Sequence, residues 1–253
     1  MCGRFALTAT PSEVEQLFEI AGLEPFPPRY NIAPTQPVAI VRASASGREG
    51  VLVRWGLVPH WVKDPASFTL LINARSETAA EKPAFRAPMR HRRCLIPASG
   101  FYEWQRSEGR KIPFWVAPAD SPVTAFAGVW DSWMGKDGSE IDSVAILTTA
   151  ATPSLSAIHH RMPVVVPPEQ FDLWLDPVVE PREVAGLLTA PSDDYFVARA
   201  VGDAVNAARN DRPDLQLPRT EEADAAPAAT ETGRPRKTTR KTGSAGDGQM
   251  DLF

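Results

Sequence analysis

Cys94-Leu95-Ile96-Pro97-Ala98-Ser99-Gly100-Phe101-Tyr102-Glu103-Trp104 reads as an apolar strand, a glycine-containing break and a second strand carrying one carboxylate between two aromatic rings. Strand signals recur on both sides of it. Upstream, residues 4–8 form a short strand, 38–41 and 51–55 form a hairpin across a turn at 44–50, and 71–78 alternate apolar with polar side chains until a turn. Downstream, residues 112–116, 123–130, 144–148 and 158–166 read as strands, and 196–205 as a last strand or loop. Thr10-Pro11-Ser12-Glu13 has a capping-box pattern with Pro at the first helical position; Val14, Leu17 and Phe18 follow at helical spacing, and that helix is expected to end near Gly22. The Pro-rich segment 25–37 cannot be regular helix and reads as an ordered loop. Residues 168–175 and 180–188 read as amphipathic helices. About eight short strands with few helices give an α+β class: a single β-rich domain with mixed and antiparallel sheets.

Composition bounds the function. The 253 residues are 43% apolar, with seven Trp and eleven Phe, ample for a globular core. No stretch approaches the roughly 18 uninterrupted apolar residues of a membrane span, and the N-terminus lacks a signal-peptide pattern, so a cytoplasmic chain without membrane contact is expected. Two cysteines, Cys2 and Cys94, cannot build a disulfide framework and pair poorly with four scattered histidines as a zinc site. No metal and no cofactor are expected, and Cys94 reads as a core residue. A net charge of −4 argues against a wholly basic nucleic-acid coat but leaves room for a local basic groove.

The chemistry sits at the start, Met1-Cys2-Gly3-Arg4. Once Met1 is trimmed, Cys2 carries a free α-amine two carbons from a thiol, a pair no internal cysteine offers. A 1,2-aminothiol condenses with an aldehyde to an imine, and the thiol then closes a thiazolidine ring. The other use of the pair is a thiol nucleophile with its own amine as base; the plain reading is an incidental second residue.

Other motifs could serve such a site. Trp55-Gly56-Leu57-Val58-Pro59-His60-Trp61 sets two tryptophans around a loop, where core packing competes with stacking on unpaired bases. Asn73 and Arg75 share one face of a strand. The run 85–93 holds Arg86, Arg90, Arg92, Arg93 and His91, a solvated surface or a phosphate track. Adjacent His159 and His160 in a strand would face opposite ways.

The ordered set Met1-Cys2-Gly3-Arg4-Phe5, Arg29-Tyr30-Asn31-Ile32-Ala33-Pro34, Trp55-Gly56-Leu57-Val58-Pro59, Asn73-Ala74-Arg75-Ser76-Glu77-Thr78, Arg93-Cys94-Leu95-Ile96-Pro97, Gly100-Phe101-Tyr102-Glu103-Trp104 and Ile158-His159-His160-Arg161-Met162-Pro163 closely resembles the SOS response-associated peptidase (SRAP) family, over roughly residues 1–215. The resemblance implies an abasic-site sensor in single-stranded DNA that crosslinks itself to the lesion through the Cys2 amine and thiol. By the same resemblance Glu103 takes or relays a proton, His159 protonates the sugar oxygen on ring opening and assists reversal, and Asn73 orients the sugar or the amine. Arg4, Arg75 and Arg161 match phosphate-holding positions, and Trp61 with Pro34 shapes a stacking surface. His160 receives no role. Lyase cleavage through the Schiff base fits the same apparatus; self-processing fits it too but has only Met1 to act on, so trimming by an aminopeptidase is expected. The alternatives are an N-terminal-cysteine thiol peptidase and a non-covalent single-strand-binding adaptor tethered to the replication clamp.

Residues 219–253 differ in kind. Rich in Ala, Thr, Glu, Gly and Pro without apolar periodicity, they are expected to be a disordered tail on a domain spanning 1–218. A basic patch lies at 234–241. The chain ends Gln249-Met250-Asp251-Leu252-Phe253, whose Gln249, Asp251, Leu252 and Phe253 resemble the bacterial sliding-clamp-binding motif. A monomer, associated with the nucleoid at replication forks, is the expected state.

Overall fold

The computed structural model describes residues 2–219, so the expected tail, its basic patch and the terminal motif lie outside the described residues. The elements in chain order are β1 (Arg4–Leu7), α1 (Pro11–Phe18), β2 (Arg29–Ile32), β3 (Pro37–Ser44), β4 (Gly47–Trp55), β5 (Asn73–Arg75), α2 (Arg86–His91), β6 (Arg93–Ala98), β7 (Gly100–Ser107), β8 (Arg110–Pro118), β9 (Thr124–Met134), β10 (Glu140–Ala150), α3 (Pro153–Ser156), β11 (Arg161–Pro163), α4 (Phe171–Leu175) and β12 (Phe196–Ala200). They make two sheets. One runs β12-β8-β7-β1-β2; the other runs β11-β10-β4-β3-β6-β9, and a further β9–β10 pairing closes β10, β4, β3, β6 and β9 into a ring. The β-rich α+β class is thus what the chain adopts, with short helices at the margins.

The stretch 94–104 is the hinge between the sheets. Residues 94–98 run in β6 within the ring, Ser99 turns the chain, and β7 enters the other sheet beside β1 and β8. Ser99 fixes the crossing: its N–H donates to Ala6 O at 2.7 Å and its hydroxyl accepts from Thr8 N and Ala9 N at 3.0 and 3.1 Å. Gly100, at φ 154°, has no room for a side chain, because a Cβ there would lie 2.4 Å from Val116 O and 2.7 Å from the Trp115 ring.

Strand alternation then sorts β7. Phe101 faces the main core, where it meets Phe126 at 6.0 Å and Phe196 at 5.5 Å between centroids. Tyr102 goes to a second, smaller core with Ala6, Trp115, Val201, Val205 and Leu215. Glu103 returns to the inner side and is only 5% exposed. On the neighbouring strand β1, Phe5, opposite Phe101, packs edge-on to Trp55 at 5.1 Å.

The capping box of α1 forms as read: Thr10 N donates to Glu13 Oε2 at 2.6 Å, and Glu13 N donates to Thr10 Oγ1 at 3.2 Å. The helix ends earlier than expected, at a left-handed Glu19 with φ 53°. Other expectations need correction. The described residues hold twelve strands rather than eight. The loop 25–37 contains β2, because Asp211 accepts the amides of Tyr30 and Asn31 while β1 pairs with the strand's other edge. Residues 180–188 keep only a 3₁₀ turn at Ala185–Leu187, in a segment weakened by Pro181 and Gly186.

Candidate active site

Cys2 is held by an interior strand. β1 lies between β7 (Phe5 opposite Phe101) and β2 (Phe5 opposite Ile32), so the residue just before it inherits a rigid position. Cys2 is 0% exposed, and its thiol donates to Arg4 O at 3.6 Å. Asn73, delivered from the other sheet by β5, donates from Nδ2 to Cys2 O at 2.9 Å. That strand pairs in parallel with β10 (Asn73 opposite Ile146, Arg75 opposite Thr148), which fixes its register. The Asn73 Oδ1 is buried and finds no hydrogen-bond partner among the described residues. A buried acceptor of this kind is ready for a donor supplied by a ligand or by the chain terminus.

Glu103 and His159 complete the cluster. The His159 Nδ1 lies 3.9 Å from Glu103 Oε1 and accepts from Arg161 N at 3.0 Å. With Phe101, Val116, Leu155, Ile158 and Arg161 they line a cleft of about 10 Å³, space for one water-sized group. Burial pushes the Cys2 thiol well above its ordinary range, and the Glu103 carboxylate adds to the effect. The thiol is therefore neutral at physiological pH. Burial also lowers the His159 pKa, against the opposing pull of Glu103, so a neutral imidazole is favoured.

That shift has a stability consequence. The unfolded chain takes up a proton on this histidine near its ordinary value of about 6.5, whereas the folded protein resists it to lower pH. The stabilisation held in the neutral ring is complete above that value and is lost as pH falls. His159→Gln is expected to show a smaller drop in Tm between pH 7 and pH 5.5 than the parent; equal drops would contradict the assignment.

Arg75 and Trp61 come together. Both line a groove of about 410 Å³ with Asn73, Thr78, Lys82, Pro83, Ala84 and Phe85. Trp61 is 50% exposed and packs edge-on to Phe68 at 5.8 Å. Asn73 joins the groove to the cysteine, since it lines one and bonds the other. Pro34 sits in the turn before β3, where Thr35 N donates to Trp55 O at 2.8 Å. Trp55 itself is core and donates its indole N–H to Ile72 O at 3.0 Å, one residue before Asn73. Lys82 was not singled out from the sequence; its only local signal is a basic side chain following the Asn-Ala-Arg strand.

Two arginines expected to face phosphates make hydrogen bonds within the protein, Arg4 half-buried and Arg161 buried. Arg4 donates to Asn31 Oδ1 and Val205 O at 2.9 Å each and to Asn206 O at 3.3 Å. Arg161 is buried, pairs with both Glu77 oxygens and donates to Thr148 O; its hydrogen bonds hold the Glu77 carboxyl below the ordinary range. The basic run is split: Arg86, Arg90 and His91 are exposed, while other members turn to partners in the fold. Arg90 pairs with Glu180 at 2.7 Å, Arg92 donates to Asp131 at 2.8 Å, and Arg93 is buried. The histidines also depart from expectation. They precede β11 rather than lie in a strand, and their rings stack at 4.4 Å with an interplanar angle of 27°. Cys94 is core, as read. Among the described residues no group of three or more His, Cys, Asp or Glu side chains could hold a metal, and no helix is long and apolar enough to cross a membrane.

Comparison with known proteins sharpens these observations. The family model described as SOS response associated peptidase (SRAP) matches residues 1–208. The abasic site processing protein YoqW of Bacillus subtilis is 38% identical over 221 residues, covering 85% of this chain and 98% of that protein. The abasic site processing protein HMCES of Gallus gallus is 33% identical over 223 residues, covering 76% of this chain and 66% of that one. A crystal structure of a protein from Bacteroides thetaiotaomicron superposes with a TM-score of 0.79 at 26% identity, covering 87% of this chain and all of that one.

Proposed function

The chain belongs to the SOS response associated peptidase family, and from that premise we propose that it processes abasic sites in single-stranded DNA by linking itself to them covalently through Cys2. The observation that supports the reading is that Asn73 bonds the Cys2 carbonyl at 2.9 Å, Glu103 acts on the Cys2 thiol, and His159 lies 3.9 Å from Glu103, each from a separate element. A nucleophile meant to act first as a thiolate needs a lowered pKa. The burial of this thiol fits an amine that attacks first and a thiol that closes second.

Removal of Met1 frees the α-amine. The neutral amine adds to the ring-opened aldehyde and water leaves, giving an imine. The S–H then adds across the C=N bond: sulfur bonds to carbon, the proton passes to nitrogen, and a thiazolidine results. An α-amine with a pKa of about 7.7 to 8.0 needs a nearby base at neutral pH; Glu103 takes that proton. His159, neutral beside Glu103, exchanges a proton with the sugar oxygen on ring opening and in reversal. Asn73 Oδ1 accepts from the amine or a sugar hydroxyl. Arg75 and Trp61, with Pro34, hold the flanking strand, one by phosphate contact and the others by stacking. Arg4 and Arg161 support the site from within the fold. β-Elimination through the imine is a minor lyase route.

The direct test mixes the Met1-trimmed protein with a single-stranded oligonucleotide bearing one abasic site, without reductant. A denaturing gel and intact mass should reveal an adduct equal to protein plus DNA less one water. Its absence would sink the reading.

Residues 249–253 we assign to a replication sliding clamp, which would place the protein at forks on the nucleoid. Deleting them should abolish clamp binding; unchanged binding would remove the assignment.

A further inference from the structure

Trp61 sits on a long irregular excursion. A bridge between Leu57 and Leu71 closes its root, and between those residues the described chain has only turns and bends. A segment of this kind keeps one conformation only where its polar groups are tied down. Here the ties come from β9 and β10. Val58 N donates to Ser143 Oγ at 2.8 Å, and the Trp133 indole N–H donates to Val62 O at 2.6 Å. Between them Asp131, 0% exposed, receives His60 N and His60 Nδ1 at 3.0 Å each through one carboxylate oxygen. Its other oxygen accepts Arg92 at 2.8 Å and Ser132 N at 3.0 Å. A buried carboxylate is costly unless its donors are well placed, and two of these four come from the residue next to Trp61.

We infer that Asp131 is a positioning residue for DNA: acting through His60, it holds the Trp61 indole as a preset wall of the groove that also contains Asn73 and Arg75. Asp131 does not line the groove itself. This rests on the abasic-site reading above, because a stacking wall matters only if a nucleobase reaches it. A preset platform binds without spending affinity on ordering the loop, and base–aromatic contacts carry much of single-strand affinity.

The test is a double-mutant cycle on binding to a single-stranded oligonucleotide carrying a tetrahydrofuran abasic analogue, which has no aldehyde and cannot crosslink. Trp61→Ala should weaken binding about tenfold; Asp131→Asn and the milder His60→Ala should each weaken it about threefold to tenfold. Added to Trp61→Ala, neither should weaken it further, because the wall they hold is gone. Additive losses would overturn the inference by making the Asp131 effect general to the fold. Full affinity in a folded His60→Ala protein would also overturn it, and covers the case in which Asp131→Asn fails to fold. The parent protein reports on the underlying reading separately: no binding to the analogue would remove the wall's ligand and overturn both.

Discussion

Cys2→Ala is expected to abolish the reductant-independent adduct with an abasic oligonucleotide, a fall of at least about a hundredfold in yield. The size follows from ring closure. An imine in water hydrolyses, and the α-amine alone therefore leaves a reversible product. The neighbouring thiol turns capture into an intramolecular step, for which effective molarities on the order of 10⁵ M or more are attainable. The structure provides the orientation: β1 is an interior strand, the Cys2 carbonyl is gripped by Asn73 at 2.9 Å, and the thiol is confined against Arg4 O. Cys2→Ser keeps the amine and a weaker nucleophile, so its adduct should survive only when the imine is reduced. The pair separates amine capture from thiol closure. A stable adduct from Cys2→Ala would disprove the ring, and a reducible adduct absent from both variants would disprove the amine.

Arg93→Met is expected to cost about 3 to 5 kcal/mol of stability. The side chain is 3% exposed, and its hydrogen bonds go to backbone carbonyls, with the Asp176 and Glu180 carboxylates acting on it only through space. Its Nε donates to Trp174 O at 2.6 Å, and its terminal nitrogens donate to Met89 O at 2.9 Å, Val179 O at 3.0 Å and Asp176 O. These carbonyls belong to α2, to the end of α4 and to the turn beyond it, where helical partners run out. One planar cation thus caps carbonyls from two helices while lying 5.6 Å from the Trp174 ring centroid. Methionine keeps the stem volume and leaves the carbonyls buried and unpaired. At roughly 2 to 4 °C per kcal/mol for a domain of this size, Tm should fall by on the order of 10 °C; Arg93→Lys, with one ammonium for a fork, should recover only part. A change within about 2 °C would show that the carbonyls rehydrate.

Both predictions turn on what a local reading can and cannot reach. Cys2 was legible because its chemistry is a property of one residue at one place in the chain. The α1 cap was legible because its partners, Thr10 and Glu13, are three positions apart. Asn73 and Arg75 were correctly set on one face because a strand has period two. Arg93 was read as part of a basic run, since nothing nearby reveals that β6 carries it into the core. Arg4 and Arg161 were expected to meet phosphates, for a charge looks available until its partner is known. Arg4 bonds Asn31, Val205 and Asn206, and Arg161 bonds Glu77 and Thr148. His159 and His160 were assigned to a strand, and a bend before β11 lets their rings stack instead.

The sequence by itself determined the β-rich class, the α1 cap and the aminothiol. These follow from periodicity, capping and side-chain chemistry, which act over a few residues. Only the tertiary structure decided that β1 lies inside a sheet, that Asn73 grips Cys2 from the other sheet, and which arginines make hydrogen bonds within the protein. Those outcomes depend on pairings between segments far apart in the chain, set by burial and hydrogen-bond satisfaction across the whole domain, and no local pattern encodes them.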